Sequence, residues 1–529
     1  MEERVAGLDD LADGQTMTVL VAGKKTLLAR VDGRYFATAA RCPHWGAPLS
    51  EGLLHDARLL CPWHASIFDV RSGDVLEPPA LDGIKAFRVR VDGDDVYVDR
   101  EQGPEQTETR RESRSGAEPD ERTFAVIGGG AAAAAAVEGL RQEGFAGRIA
   151  MISSEDRWPY DRPNLSKDFL AGEFEAKWLP LRSPGFYEEH AIERIVGRVT
   201  ELDVGSRTVT LDDGTTLSPD GVLIASGAQP RRLEVPGADL PGVFTLRSWD
   251  DAEALADFAQ SAKRAVVIGA SFIGMEAAAS LVRRGLEVTV VGPEVVPFER
   301  VLGAEVGAVL QSCHSEHGTR FALGRGVVRM VGEMSVVGVE LDDGTRLDAD
   351  LVVVGIGVQP VTDFVRGVQR ERDGGLRVDE QLRVAPGTWA AGDVALYREP
   401  HTGRDVRIEH WRLAEQHGRA AALSMAGRGR PFVGVPFFWT QHFDLQISYA
   451  GAGQGWEEVV VVGDTAARDF TAFYVADDRL LAACGTQGDE VNAFIELMRA
   501  GGLPAVGELR GRQRAGLPRL LAEWSAMGD

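Results

Sequence analysis

Cysteine is scarce in this chain, which has four among 529 residues. So few thiols exclude a disulfide scaffold and favour a reducing, cytoplasmic location. Long apolar runs are absent as well, since no stretch approaches the roughly 18 residues that a membrane span needs. The first residues, Met1 to Arg4, are mostly polar and contain no apolar segment of a secretory signal. We therefore expect neither a membrane anchor nor export.

Positive charge is in deficit. The chain has 57 Lys and Arg against 80 Asp and Glu, which gives a net charge of −23. This balance argues against nucleic acid and anionic membranes as partners. It leaves room for small anions held in local sites and for a partner protein with a basic face. The length allows roughly three to four domains of about 150 residues each.

The chain divides by composition into several units, which makes the predicted fold multidomain. Residues 101–121 contain one apolar residue besides glycine and proline, Ala117, which is too little to offset the entropy of ordering. Short strand-like runs with tight turns precede this segment, and two strand–glycine–helix starts follow it. We predict an all-β unit at 1–100, a flexible linker at 101–121, a Rossmann-like α/β unit at 122–245 and 365–432, a second Rossmann-like unit at 246–364 between those two parts, and an α+β unit at 433–529.

Two cysteine–histidine pairs stand in the first unit. Cys42-Pro-His44 and Cys61-Pro-Trp-His64 each follow a strand-like run. Two thiolates and two imidazoles suit either tetrahedral zinc or a mixed iron–sulfur cluster. The cluster is favoured, because each pair combines one cysteine with one histidine instead of the paired histidines that zinc folds commonly use.

The segments CPHWGAPLS and CPWHASIFDVRSGDVLEPPA resemble the Rieske [2Fe–2S] domain of the ferredoxin type. The resemblance implies that Cys42 and Cys61 bind one iron and that His44 and His64 bind the other. This domain has no further cysteine pair in its loops, which is typical of the lower-potential electron-transfer members. Ser66 is a candidate donor of a hydrogen bond to a cluster sulfur, or else an ordinary loop hydroxyl.

The first glycine motif predicts an FAD site. Gly128-Gly-Gly130-Ala-Ala-Ala133 follows an apolar strand and opens a helix, so the backbone can approach a pyrophosphate at the helix N-terminus. Glu155, at the end of the next strand, is placed to bind the adenosine ribose.

The second glycine motif predicts a nicotinamide nucleotide site. Gly269-Ala-Ser271-Phe-Ile-Gly274 has a serine in place of the middle glycine but keeps its position between strand and helix. An acidic residue at the end of the next strand favours NADH, and Glu294 stands two residues later than usual. We favour NADH on this basis, with NADPH as the alternative.

Three further segments, PYDRPNLSK (159–167), ASGAQP (225–230) and AGD (391–393), resemble the pyridine-nucleotide-dependent flavoprotein reductases. Within them the match is to ferredoxin reductases of oxygenase systems and to apoptosis-inducing-factor-like proteins. The resemblance implies catalytic roles for Lys167, Glu276 and Trp411. It also implies cofactor-binding roles for Arg162, Lys167, Ser226, Arg247, Gly357, Gly392, Asp393, Trp411 and Trp439. Either tryptophan could instead be ordinary core.

Two classes of enzyme are excluded by residues that the sequence lacks. Disulfide reductases need a pair of redox cysteines beside the flavin, whereas Cys313 and Cys484 are isolated, so we expect buried, inert thiols. Oxygenases need a mononuclear iron with two histidines and a carboxylate. His314 and His317 form an H-x-x-H pair, but we interpret this segment as facing solvent. No substrate-oxidising site is therefore predicted.

What remains is an electron-transfer path. NAD(P)H would reduce FAD, and FAD would reduce the chain's own Rieske cluster, which would pass electrons to a protein acceptor such as an oxygenase or cytochrome P450. A linker of this length spans about 25 Å, which gives an effective concentration on the order of mM. We expect the Rieske domain to dock around Trp411 and Trp439, in a monomer or homodimer. The alternative is an apoptosis-inducing-factor-like redox sensor with slow turnover.

Overall fold

The structure, a computed structural model, describes residues 2–103 and 120–527. Most of the predicted linker, residues 104–119, lies outside the described residues. Within the described ranges, no helix is both long enough and apolar enough to cross a membrane.

The N-terminal unit is all-β, as predicted. Its first sheet has the strand order β1-β10-β9-β4-β3-β2, and its second has the order β5-β6-β7-β8. The loop after residue 39 follows a strand of the first sheet, and the loop after residue 60 follows a strand of the second sheet. Between them, the core is filled by Leu27, Leu49, Leu59 and Phe68. The strands are β1 (Glu2–Gly7), β2 (Thr16–Val21), β3 (Lys24–Val31), β4 (Arg34–Ala39), β5 (Leu53–His55), β6 (Arg58–Leu60), β7 (Ile67–Asp69), β8 (Val75–Glu77), β9 (Ala86–Asp92) and β10 (Asp95–Asp99).

The next unit begins with a strand, a glycine turn and a helix. Its parallel strands read as continuous apolar runs because both faces of the sheet are covered. The elements are β11 (Thr123–Ile127), α1 (Ala131–Gln142), β12 (Arg148–Ser153), α2 (Asp168–Ala171), α3 (Pro184–Glu189), β13 (Ile192–Val196), β14 (Val199–Asp203), β15 (Thr208–Leu211), β16 (Thr216–Leu217), β17 (Gly221–Ile224), β18 (Ala228–Pro230) and β19 (Val243–Phe244).

A second strand–glycine–helix start follows, and it opens the nucleotide unit. The elements of this part of the chain are α4 (Trp249–Ala259), β20 (Arg264–Ile268), α5 (Phe272–Arg283), β21 (Glu287–Gly292), α6 (Glu299–Glu316), β22 (Arg320–Leu323), β23 (Val327–Gly332), β24 (Val336–Leu341), β25 (Arg346–Asp348) and β26 (Leu351–Val354).

The chain then returns to the first α/β unit and ends in an antiparallel sheet. That sheet has the order β34-β35-β38-β37-β36, and α8 packs against it. The elements are β27 (Val358–Pro360), β28 (Val365–Arg366), β29 (Leu376–Arg377), β30 (Arg383–Ala385), β31 (Thr388–Ala390), β32 (Ala395–Arg398), β33 (Asp405–Val406), α7 (Trp411–Met425), β34 (Phe437–His442), β35 (Leu445–Gly451), β36 (Glu458–Asp464), β37 (Asp469–Ala476), β38 (Arg479–Gly485), α8 (Gly488–Ala500), α9 (Val506–Leu509) and α10 (Leu517–Met527).

The two α/β units repeat one topology. The first sheet contains the parallel order β13-β12-β11-β17, and the second contains the equivalent order β22-β21-β20-β26. Each is accompanied by a three-stranded antiparallel meander, β14–β16 in one and β23–β25 in the other. In such sheets the carboxyl ends of the strands form the ligand crevice, so the two glycine turns open toward binding sites.

Small residues bring α7 against α1. A side chain at Gly418 would meet the carbonyl oxygen of Ala132 at 2.3 Å, so only glycine allows this approach. The alanine-rich sequence of α1 makes the same close packing possible from the other side. As a result, the N-terminal end of α7, with Trp411 and Arg412, lies beside the first glycine turn.

Candidate redox centres

The two predicted ligand loops fold in the same way. The amide of Cys42 donates to the carbonyl of Ala47 at 2.9 Å, and the amide of Cys61 donates to the carbonyl of Ser66 at 2.8 Å. In each loop, this hydrogen bond joins the cysteine to the residue five positions later. The repeated turn directs both cysteines and both histidines of the pairs toward one space.

The donor set fits a two-iron cluster better than a single zinc ion. Nδ1 of His44 and Nδ1 of His64 lie 3.1 Å apart, and the thiols of Cys42 and Cys61 are hydrogen-bonded to each other. Among the described residues, no three of these four ligand atoms lie within 4.8 Å of one another. A tetrahedral zinc would hold all four ligand atoms within about 4 Å of each other. Separate thiolate and imidazole pairs are what a Rieske cluster requires.

The surroundings of the ligands favour their metal-binding forms. Burial lowers the pKa of His44 to about 3 and that of His64 well below its usual value, so both imidazoles are neutral. Hydrogen bonds from the Cys61 thiol, from backbone amides and from the Ser66 hydroxyl lower the pKa of Cys42 to about 7. Ser66 thus contacts a ligand sulfur, while its oxygen also accepts from the amide of Ala80 at 2.9 Å.

The first glycine turn fits a pyrophosphate. Gly128 has φ +136°, and a side chain there would collide with the carbonyl oxygen of Ala225 at 2.1 Å. Gly130 faces open space, where the nearest atom to an added Cβ is Nε of Arg162 at 3.8 Å. The amides at the start of α1 have no side-chain cap, so they remain available to an anion. Ala133 is fully buried in the packed face of that helix.

A chain of charged groups runs from Glu155, which follows β12, to the AGD segment. Glu155 accepts from Arg162 at 2.6 Å, and Arg162 donates to the backbone carbonyl of Arg247 at 3.1 Å. Arg247 in turn donates to Oδ2 of Asp393 at 2.9 Å. Tyr160 adds a short hydrogen bond to Glu155. The network holds two guanidinium groups at the crevice, where they can bind the phosphates of a dinucleotide.

Gly392 is packed between two helices, whereas the hydroxyl of Ser226 is used in a hydrogen bond to the backbone. Gly392 has φ +74° and lies between α1 and α7, where a side chain would meet Ala132 and Ala414 at 3.3 Å. Ser226 turns its hydroxyl away to the carbonyl of Val361 at 2.6 Å. Contact of Ser226 with a cofactor would therefore go through its backbone.

Lys167 and Glu276 form an ion pair between the two α/β units. Nζ of Lys167 lies 2.9 Å from Oε2 of Glu276, and the hydroxyl of Ser166 donates to the same oxygen at 2.6 Å. Thr440 donates to Oε1 at 2.7 Å. Glu276 is only 4 % exposed, so these three donors hold its carboxylate in one orientation inside the cleft.

The hydrogen bonds continue beyond this pair, which the sequence did not predict. Thr440 contacts Nε2 of His442 at 3.0 Å, and Nδ1 of His442 contacts Nε2 of His314 at 3.0 Å. His314 is fully buried, and burial lowers its pKa to about 2. The prediction that the His314–His317 segment faces solvent is therefore wrong for His314, because α6 turns this residue toward the C-terminal sheet, although it is right for His317.

The second glycine turn repeats the geometry of the first. Gly269 has φ +112°, and a side chain there would collide with the carbonyl oxygen of Gly355 at 2.2 Å. Gly274 packs against the Gly269 carbonyl, where a side chain would lie 2.1 Å away. Ser271 precedes α5 and makes no cap with its side chain, so its substitution for glycine leaves the helix amides free.

Glu294 carries an unpartnered carboxylate oxygen. Its Oε2 is buried without a hydrogen-bond partner, and a Cβ added to Gly292 would meet it at 2.7 Å. Its other oxygen lies 4.0 Å from Nε of Arg300. Although Glu294 follows β21 by two residues, its side chain returns to the strand end. A buried acceptor without a donor at this edge suits the hydroxyls of a ribose.

One cleft of about 450 Å³ joins both glycine turns. The predicted site residues divide into those that line the cleft and those that do not. The lining includes Gly130, Arg162, Lys167, Arg247, Ser271, Glu276, Gly357, Gly392, Asp393, Trp411 and Trp439. The predicted residues that do not line it are Gly128, Ala133, Glu155, Ser226, Gly269, Gly274 and Glu294. The cleft is thus lined by residues from both glycine motifs and from the segments 159–167, 225–230 and 391–393.

Trp439 connects the cleft with the ligand histidines of the first unit. Its ring lies 4.2 Å from that of His64 and 6.0 Å from that of His44, measured between centroids. Trp439 and its neighbour Phe438 also line the cleft. Both predicted ligand histidines therefore lie one aromatic ring away from the cleft.

Buried polar contacts hold the first unit against the others. Arg412, which is 1 % exposed, donates to the carbonyls of Pro78 at 2.7 Å and Ala65 at 3.1 Å. Gln416, one turn later, donates to Glu77 at 2.7 Å. A helix of the first α/β unit therefore closes over the loop that carries Cys61 and His64.

A second group of contacts comes from α8. Asn492 donates to the carbonyl of Cys61 at 3.2 Å, and Glu496 accepts from Arg58 at 3.0 Å and contacts His55 at 3.3 Å. Burial alone would raise the pKa of Glu496, but these partners and Arg499 lower it to about 2. The ionised carboxylate is thus a fixed element of this interface.

Glu415 gives the stability of α7 a pH dependence. Burial raises the pKa of Glu415 from 4.5 to about 8; the charge of Arg419 opposes this rise and that of Asp161 adds to it, and one carboxyl oxygen has no partner. The folded chain binds this proton more tightly than the unfolded chain, so its stabilising effect is complete below pH 4.5 and is lost as pH rises toward 8.

We expect Glu415→Gln to remove this loss. The midpoint of thermal unfolding of the variant, relative to wild type, should rise between pH 5 and pH 9, by an amount equivalent to about 2–4 kcal/mol. Glu305→Gln, on the exposed face of α6, is the control and should show no such trend. A difference between Glu415→Gln and wild type that stays constant with pH would contradict the assignment.

Comparisons with known proteins cover nearly the whole chain. Residues 122–418 match the family described as pyridine nucleotide-disulphide oxidoreductase. Residues 2–88 match the Rieske [2Fe-2S] domain, and residues 437–510 match the reductase C-terminal family. These matches confirm the predicted fold class and both resemblances.

Individual relatives share this architecture to different extents. Apoptosis-inducing factor 3 of Homo sapiens is 33 % identical over 514 residues, which covers 95 % of this chain and 84 % of the human protein. The benzene 1,2-dioxygenase system ferredoxin–NAD(+) reductase subunit of Pseudomonas putida is 34 % identical over 360 residues, 68 % of this chain and 87 % of that protein. A chain of the covalent putidaredoxin reductase–putidaredoxin complex matches with TM-score 0.72 and 29 % identity, covering 77 % of this chain and 99 % of that one.

Proposed function

The chain belongs to the pyridine nucleotide-disulphide oxidoreductase family, and from this premise we propose that it passes electrons from NADH through FAD to its own Rieske cluster, and then to a separate redox protein. The family and the Rieske domain imply FAD, NAD(P)H and a [2Fe–2S] cluster as cofactors. The chain is accordingly an NAD(P)H-dependent oxidoreductase.

The position of Trp439 carries the proposal. One side of this residue contacts His64, and the residue also lines the cleft that holds both nucleotide motifs. A cluster whose histidine ligands lie against the wall of a flavin site is suited to receive electrons across that wall. The buried contacts of Arg412 and Glu496 support a stable docked arrangement, which a long tether alone would not provide.

The cofactors and the residues divide the work. FAD accepts an electron pair from a nicotinamide and can release electrons singly, which a one-electron cluster needs. Lys167 and Glu276 line the cleft that joins the two glycine turns. The hydrogen bond between them fixes both side chains, which would orient the flavin and nicotinamide rings in the cleft. Trp411 and Trp439 exclude water from that end of the cleft.

Steady-state turnover tests whether the chain is a reductase. With FAD and cluster loaded, we expect rapid NADH consumption with ferricyanide and with cytochrome c. Slow turnover together with a long-lived complex of reduced flavin and oxidised nucleotide would instead support the second function below.

A redox sensor is the second candidate. The match to apoptosis-inducing factor 3 covers the Rieske region as well as the reductase region, whereas the match to the dioxygenase reductase covers 68 % of the chain. This shared architecture favours a role in which the nucleotide-bound, reduced state is itself the signal. The turnover measurement distinguishes the two roles.

The acceptor is proposed to be a soluble redox protein. Relatives named as reductase components of dioxygenase systems support an oxygenase or cytochrome P450 system as the destination. The net charge of −23 favours an acceptor with a basic docking face. A cytoplasmic location is proposed on the scarcity of cysteine, four in 529 residues.

Glu294 is proposed to select NADH over NADPH. Its unpartnered oxygen can accept from a ribose 2′-hydroxyl, whereas a 2′-phosphate would place negative charge against it. We expect Glu294→Ala to lower the ratio of kcat/KM for NADH to that for NADPH by about 10–100-fold, the loss of one hydrogen bond to a charged group. Steady-state kinetics with both nucleotides measures this ratio.

Glu305→Ala, on the exposed face of α6, is the matched control and should leave the ratio unchanged. An unaltered ratio in Glu294→Ala would contradict the assignment without affecting the proposed electron path.

A further inference from the structure

Three metal-ligating side chains meet outside the redox centres, where the nucleotide unit packs against the C-terminal unit. Cys313 and His317 lie one turn apart at the end of α6, and Asp444 lies in the turn between β34 and β35. Sγ of Cys313 is 3.9 Å from Oδ1 of Asp444, and Nε2 of His317 is 4.0 Å from the same oxygen. Among the described residues, this is the one group of three such side chains whose ligating atoms all lie within 4.8 Å.

These separations are close to those of a tetrahedral metal site. Ligands at about 2.0–2.3 Å from a zinc ion lie about 3.3–3.8 Å from one another. The two distances to Oδ1 of Asp444 exceed this range by a few tenths of an ångström, and Sγ of Cys313 lies within 4.8 Å of the His317 ligand nitrogen, so shifts of at most about 1 Å would close the site around an ion. His317 and Asp444 are exposed, so an ion can enter from solvent and keep a water molecule as fourth ligand.

The orientation of His317 is already fixed for metal binding. Its Nδ1 lies 2.8 Å from the carbonyl oxygen of Cys313, which can only accept, so Nδ1 carries the proton. Nε2, which lies 4.0 Å from Oδ1 of Asp444, then carries the lone pair. The ring also stacks on Phe443, with centroids 4.0 Å apart and planes at 5°. A hydrogen bond from the second ring nitrogen to a carbonyl is the usual support of a metal-binding histidine.

The neighbouring charges leave one carboxylate oxygen for a cation. Arg468 lies 3.9 Å from Oδ2 of Asp444 and also pairs with Glu316, so it does not occupy Oδ1, whose contacts are with Cys313 and His317. Cys313 is fully buried, and burial raises the pKa of its thiol to about 11. Binding would release the thiol proton to solvent, which zinc commonly achieves. A mixed sulfur, nitrogen and oxygen set suits zinc rather than magnesium or calcium.

We propose that Cys313, His317 and Asp444 form a zinc site that joins α6 of the nucleotide unit to the β34–β35 turn of the C-terminal unit. The site is separate from the Rieske ligands and does not depend on the proposed electron path. Its expected effect is to stabilise the contact between these two units.

Zinc titration of the full chain, with FAD and the cluster in place, tests this site. After removal of adventitious metal by a mild chelator, calorimetry should show zinc binding at one site per chain. Asp444→Asn, His317→Gln and Cys313→Ser should each weaken that binding by more than about 10-fold. Binding should tighten as pH rises, because the ligands lose protons. Cadmium should add a thiolate absorption band to wild type that Cys313→Ser lacks.

Cys484→Ser is the matched control, because Cys484 is equally buried but has no ligand partners. Zinc should raise the unfolding midpoint of wild type and of Cys484→Ser, but not that of Asp444→Asn, which is a surface change that leaves folding intact. The electron paramagnetic resonance spectrum of the cluster should not change during titration. No zinc binding by wild type, or equal binding by wild type and the three ligand variants, would overturn the proposal.

Discussion

Replacing Cys61 with serine is expected to abolish electron delivery to a protein acceptor while NADH oxidation by ferricyanide continues. Cys61 is one of the two cysteines whose thiols meet at the predicted cluster position. Without the cluster, ferricyanide can still take electrons at the flavin, but cytochrome c loses its route. We expect its rate of reduction to fall at least about 100-fold, or about 2.7 kcal/mol in activation free energy.

The comparison requires that the cluster, and nothing else, is lost. Electron paramagnetic resonance should show no Rieske signal in Cys61→Ser, and flavin content should equal that of wild type. His44→Ala, which removes a ligand of the other iron, should give the same split between acceptors. Cys484→Ser should keep both activities. Undiminished cytochrome c reduction by protein without a cluster would show that electrons leave from the flavin.

Replacing Arg412 with methionine is expected to release the Rieske domain from its docked position. Methionine keeps much of the buried side-chain volume but removes the donors to the carbonyls of Pro78 and Ala65. Leaving these acceptors unpaired in the interface should cost about 3 kcal/mol, which shifts the docking equilibrium by about 100-fold. Small-angle X-ray scattering should show a larger radius of gyration, and transfer between flavin and cluster should slow.

Arg428→Met provides the matched control. Arg428 follows the same helix but pairs with Glu143 inside the first α/β unit, 2.7 Å away. Its loss should leave both the scattering profile and the transfer rate unchanged. Because Arg412 also borders the cofactor cleft, flavin content must be equal in both variants. A compact Arg412→Met protein with a normal transfer rate would contradict the role given to this interface.

The local motifs could be predicted from the sequence, because their chemistry limits which residues can occupy each position. Two cysteine–histidine pairs after strand ends leave few alternatives, and the helix expected to begin in the first glycine motif is found at Ala131–Gln142. Gly128 and Gly269 are required by positive φ angles and by carbonyl oxygens within 2.2 Å of an added side chain. Such requirements act over a few residues, so they are visible without a structure.

Contacts between distant parts of the chain could not be predicted in this way. Arg412 stands in a helix with polar residues around it, yet it is buried against a loop more than 300 positions away. His314 looks like a surface residue by pattern, but His442 gives it a buried partner. Glu294 stands two residues later than the usual acidic position after the strand, but the turn of the chain after β21 brings its carboxylate back beside Gly292. These positions depend on packing between units, which a single sequence does not encode locally.

Rapid mixing of the loaded protein with NADH, over a range of protein concentrations, tests the central claim most directly. Bleaching of the flavin absorbance should be followed by bleaching of the Rieske absorbance, and the rate of the second phase should not depend on protein concentration, since donor and acceptor belong to one chain. A second phase whose rate increases in proportion to protein concentration, or a Rieske centre that stays oxidised, would contradict intramolecular transfer.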